Sequence, residues 1–218
     1  MNNRLLAQLK QRFTSEVLWH FVGRSKPEDE RYQILLSILK TGLKIGKGNE
    51  EFKFLDVRTK QTVTLWGYPV SCLADIPLKD LHIHAERYGR YAIGFHKESA
   101  INNNFHPVLY VNQYSSVFHR FIELRNQIEV FLNTTNKEFA EKLQEFLLLL
   151  GSIAKSGDLK ANPVNDIKWD QLQLNNFYYE REWRSVYDWS FDKKDVAIII
   201  IPDEKISEFA RDRKSNEL

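Results

Sequence analysis

Hydrophobic and polar positions along the chain fall into short alternating runs and longer periodic ones. "SEVLWHFVG" (15–23) is a β-branched and aromatic run closed by glycine, the pattern of a buried strand. "PEDERYQILLSILKTG" (27–42) opens with proline and three acids and closes with glycine. Within and just after it Tyr32, Leu35, Leu36, Leu39 and Leu43 keep helical spacing. Three short strands are predicted between 50 and 76, in "EEFKFLDV", "QTVTLW" and "YPVSCLADI". "PLKDLHIHAERYG" (77–89) is a second helix, again opened by proline and closed by glycine, followed by strands at 91–95 and 107–112.

The period then changes. Val117, Phe121, Leu124, Ile128 and Phe131 recur every three or four residues, and after "NTTN" so do Phe139, Leu143, Phe146 and Leu150. Two helices joined by a short polar turn make an antiparallel hairpin. The stretch 151–166 reads as a loop from its Gly, Ser, Asn and Pro. Strand patterning returns in "FYYEREWRSVYDW" and "DVAIIII", and a last helix starts near 203. The order predicts an α+β fold: a single domain over 1–218 with a mixed or antiparallel sheet interrupted by the helical hairpin. Its parts are a sheet-and-helix half over 15–115, the inserted hairpin over 116–155, late strands over 175–202 and a C-terminal helix over 203–213.

Composition narrows the class without naming a function. The 218 residues suffice for a real core, and 14 Phe, 9 Tyr and 5 Trp belong to a folded chain. Lys and Arg (31) nearly balance Asp and Glu (29), so charge announces neither nucleic acid nor membrane as partner. Cys72 is the only cysteine, which rules out an intrachain disulfide and suits a reducing cytoplasm. No apolar run approaches the length of a membrane span, and the start lacks the pattern of a secretory signal.

The densest candidate chemistry is the strand "YEREWRS". Alternation puts Glu180, Glu182 and Arg184 on one face, the two carboxylates about 7 Å apart. Such a pair suits reactions at an anomeric carbon: one carboxylate stabilises an oxocarbenium-like centre while the other orients an acceptor. The same pattern also serves as a ladder of structural ion pairs, which sheets use routinely. His20, within the first strand, reads either as a core imidazole or as a donor to a ribose or diphosphate. Tyr88 and Tyr91 flank a helix-ending glycine, where a ring packs in the core or stacks on a flat ligand. The six histidines show no ligand spacing, and no metal site is predicted.

Taken together, "LWHFVGR", "ILLSILKTGLKIG", "YGRYAIGF", "PVLYVN" and "FYYEREWRSV" resemble the AbiGi family of bacterial abortive phage-resistance proteins. A second resemblance, a strand with His and then a helix ending L-x-x-I-L-x-x-G-L, is to the ADP-ribosyltransferase fold of DarT-type toxins. That likeness implies an NAD-dependent toxin or effector that transfers ADP-ribose to a protein or nucleic acid, or simply hydrolyses NAD. His20 would then bind the nicotinamide-side ribose, and Glu182, or Glu180 beside it, would stabilise the oxocarbenium ion. Tyr88 or Tyr91 would stack on nicotinamide, with Arg184 at the cofactor. NAD would be substrate and no metal would be needed. The AbiGi likeness implies a different role, an antitoxin that restrains a cognate toxin without catalysis. The two readings differ over whether His20 and Glu182 line one cleft.

Overall fold

The computed structural model describes residues 15–23, 26–48, 50–55, 62–112, 115–132, 137–157 and 181–215. They form two compact units, interleaved in sequence: 1–42, 73–103 and 190–218 belong to the first, and 43–72 and 104–189 to the second. These boundaries fall inside the segments 15–115 and 175–202.

The first unit is built on an antiparallel sheet. β1 (Val17–Phe21) lies beside β5 (Ala92–His96) in the register Trp19↔Gly94 and His20↔Ile93, and β10 (Val196–Ile200) pairs with the other edge of β5. Trp19 also faces Ala74 at the end of β4 (Ser71–Ala74). Its indole Nε1–H donates to the Ile76 carbonyl at 3.0 Å, so the largest core side chain has its polar atom satisfied. The glycine within "YAIGF" has a packing reason. A Cβ at Gly94 would lie 2.7 Å from Val17 Cγ1 and 2.8 Å from Trp19 Cζ3, closer than van der Waals contact allows.

Helix α1 (Glu28–Thr41) starts after Pro27 with Glu28, Asp29 and Glu30 in its first turn, and Gly42 closes it at φ 87°. It buries Tyr32 and Leu35. A single 3₁₀ turn leads into α2 (Leu81–Tyr88), and β5 runs directly into the short α3 (Lys97–Asn102). Asp75, almost fully buried, accepts from Lys97 Nζ and from the Ser15 backbone N–H, both at 2.8 Å. The last helix, α6 (Ile206–Ser215), also belongs to this unit.

The second unit is more mixed. β2 (Glu51–Leu55) and β3 (Thr62–Trp66) are an antiparallel pair. β6 (His106–Pro107) is antiparallel to β9 (Glu182–Ser185), whereas β7 (Leu109–Asn112) is parallel to β8 (Ala154–Gly157). The predicted single strand 107–112 is therefore two, because the chain changes partner at Val108. Helices α4 (Ser116–Leu132) and α5 (Lys137–Ile153) pack on each other as the hairpin expected from the sequence.

The predicted loop from 151 is a difference. Helix α5 continues to Ile153 and passes straight into β8. The seam of the hairpin also differs from its apolar spacing. Ile122, Ile128 and Ala140 are buried, while Phe139 and Phe146 point outward, each more than half exposed. The reason is surplus: α5 carries "FLLLL" at 146–150, more apolar positions than one seam can cover.

Candidate functional site

The chemistry-bearing strand of the second unit opens on a strained residue. Arg181 adopts φ 42°, the left-handed region that a bulky side chain rarely occupies. The next residue, Glu182, is then pinned through its backbone: its N–H donates to Tyr110 Oη at 2.9 Å and its carbonyl accepts from Val108 N–H at 2.8 Å. Alternation along β9 puts Glu182 and Arg184 on one face, as predicted, and both are buried.

Their side chains form the centre of a closed network. Arg184 Nε–H donates to Glu182 Oε1 at 3.0 Å and Nη2–H to Oε2 at 3.4 Å. Nη2 also meets Glu50 Oε2 at 3.0 Å, and Nη1–H donates to the Ser152 carbonyl at 2.9 Å. Lys155 Nζ donates to Glu182 Oε2 at 2.9 Å, and the Cys72 thiol hydrogen-bonds the same carboxylate. Two carboxylates and two cations make the cluster neutral, which is what lets it be buried at all.

Burial by itself would raise the Glu182 pKa. The charges of Lys155 and then Arg184 outweigh that and bring it from an ordinary 4.5 to about 2. The difference corresponds to roughly 3 kcal/mol favouring the ionised form in the folded state. Glu182 is therefore a permanently charged, saturated acceptor. The Cys72 thiol is pushed well above its usual value, first by burial and then by the Glu182 charge. It stays protonated, the state suited to a donor and not to a nucleophile.

The other predicted residues lie elsewhere. Glu180 is outside the described residues. His20, half-buried on β1, belongs to the first unit, and Glu182 belongs to the second, so neither unit assembles the two by itself. Tyr91 is fully buried in the first unit, its ring centroid 6.2 Å from Tyr32, and it presents no open face for stacking. Its hydroxyl is buried without a hydrogen-bond partner among the described residues. Tyr88, only partly buried, stacks on His84 at 4.4 Å and lies 6.0 Å from Phe21, with the Arg87 guanidinium 5.0 Å from its ring centroid. Arg184 has spent its donors on protein groups.

Lys155, Glu50, Cys72, Ser152 and Tyr110 were not singled out from the sequence. Ser152 and Lys155 sat in a presumed loop, and the remaining three belong to segments that only the fold brings to β9. Among the described residues no group of three or more His, Cys, Asp or Glu side chains could hold a metal ion, and no helix is long and apolar enough to cross a membrane.

Residues 45–218 match a family described as "Putative abortive phage resistance protein AbiGi, antitoxin". The chain belongs to the AbiGi family. It is also 30% identical over 158 residues to an abortive phage resistance protein AbiGi of Lactococcus lactis subsp. cremoris. That alignment covers 66% of this chain and 61% of the relative's length. No solved structure matches. The AbiGi match takes in the whole Glu182 network and the α4–α5 hairpin, whereas His20 precedes it.

Proposed function

We propose that the chain serves abortive phage resistance as a binding protein, restraining a cognate toxin-type partner through the outward face of α5. The observation that carries this reading is the exposure of Phe139 (56%) and Phe146 (55%), with Leu149 beside them (38%). At about 100° per residue these three fall within roughly 80° of one another, so they form one stripe. A stripe with two exposed phenylalanines is surface that a soluble chain ordinarily covers, and aromatic anchors of this kind dominate binding energy.

The state of Glu182 supports the same reading. A carboxylate that stabilises an oxocarbenium ion has to face a substrate cleft with lone pairs to spare. Glu182 is 9% exposed and already accepts from Arg184, Lys155 and Cys72. The antitoxin description of the family fits a protein that works by contact. The test is co-expression with the partner. F139S/F146S loses the restraint on partner-induced growth arrest while the purified variant stays folded. Release of nicotinamide from NAD by the purified wild-type chain would instead support the transferase reading.

A further inference from the structure

The first unit carries a second unused surface, independent of the α5 face. β10 stands at one end of its sheet: one edge pairs with β5, and among the described strands nothing pairs with the other. Free edges invite pairing with other chains, and proteins ordinarily blunt them with lysine, proline or a covering element. β10 is Val-Ala-Ile-Ile-Ile, with no polar residue in five, and Ile198 is 40% exposed.

A groove of about 710 Å³ runs along this edge. Val196, Ala197, Ile198 and Ile199 all line it. Ile198 and Ile199 are consecutive in the regular part of the ladder and point to opposite faces, so both line one cavity only where the edge itself is the wall. Leu39 of α1 and Phe209 of α6 extend the apolar lining. The charged lining is lopsided: Lys40, Lys193 and Arg213 against Asp192. Asp192 is already engaged, with Lys194 at 3.6 Å and in the capping box of the 3₁₀ turn before β10. The three groove cations have no carboxylate within ion-pair distance among the described residues.

We infer that this edge is a docking site for an extended, acidic segment of another protein, added to β10 as a further strand. Main-chain hydrogen bonds to the β10 edge would hold the segment, its apolar side chains would fill the groove beside Leu39 and Phe209, and its carboxylates would pair with Lys193 and Arg213. The irregularity in the β10 ladder between Val196 and Ile198, and Pro202 beyond its end, confine regular pairing to a few residues. That limit gives a short, specific addition and not open-ended stacking.

The test uses the full chain and a fluorescein-labelled ten-residue peptide alternating valine with glutamate, followed by fluorescence anisotropy. Two control peptides replace glutamate by lysine, or alternate valines by proline. Saturable binding of the first peptide alone is expected. K193E/R213E, which alters only exposed side chains, should weaken it at least about tenfold and turn preference toward the lysine peptide. I198K, a charge on the exposed edge, should abolish it.

Equal binding of the proline peptide would show an apolar groove without strand addition and overturn the proposal. So would failure of the valine–glutamate peptide to saturate. A wild-type dimer in sedimentation that I198K converts to monomer, with no peptide binding, would reassign the edge to self-association.

Discussion

Arg184 donates its Nε–H to Glu182 Oε1 at 3.0 Å from two residues further along the same strand. A strand brings such neighbours onto one face, but their pairing here is buried and closed by Lys155 and Glu50. Glu182 and Arg184 of the E-x-E-x-R pattern thus have a structural use that the sequence alone left open.

Removing one charge from a neutral buried network leaves an excess of the opposite charge in it. E182Q should destabilise the fold by about 3 kcal/mol or more, because Lys155 and Arg184 each lose a buried charged partner. Urea unfolding followed by tryptophan fluorescence measures this. A change below about 1 kcal/mol would show that water or a shifted Glu50 replaces the carboxylate.

The same group sets an acid limit. Its folded pKa, about 2, lies below the ordinary 4.5, so its contribution is complete above pH 4.5 and is lost as pH falls through about 2. Wild-type stability should therefore decline across that window more steeply than that of E182Q. Parallel curves for the two proteins would mean that other carboxylates govern acid unfolding.

Gly67 ends β3 against the last turn of α5. A Cβ there would lie 2.5 Å from Ser152 N and 2.7 Å from the Gly151 carbonyl carbon, both backbone atoms with no freedom to yield. G67A should cost about 1–3 kcal/mol. It should also loosen Ser152, whose hydroxyl accepts from Tyr68 N–H at 2.6 Å and whose carbonyl accepts from Arg184. Faster amide exchange at Tyr68 would report that loosening, and unchanged exchange would confine the effect to packing.

Local patterning revealed most elements and half of the network. The proline start and first-turn acids of α1 and the glycine stops of α1 and α2 are local signals, and the structure follows them. Alternation placed Glu182 and Arg184 on one face. What the sequence hid depends on partners distant along the chain. Lys155 reaches Glu182 because Ala154–Gly157 pairs with β7, a parallel contact that no local pattern encodes. The six-residue α3 is too short for periodicity to announce. Phe139 and Phe146 fit a helical seam equally well whether they face inward or outward, and only their exposure beside the buried Ala140 shows which. Tyr91, a stacking candidate by position, is core because Tyr32 packs over it.

The proposed contact through the outward face of α5 is measured as the affinity of the purified chain for the toxin-type partner it would restrain. Titration calorimetry with the wild type should give a saturable complex. F139S/F146S, with the wild-type unfolding midpoint, should weaken that complex about a thousandfold, since two aromatic anchors at about 2 kcal/mol each are lost. Undiminished binding by the folded double variant would contradict the account.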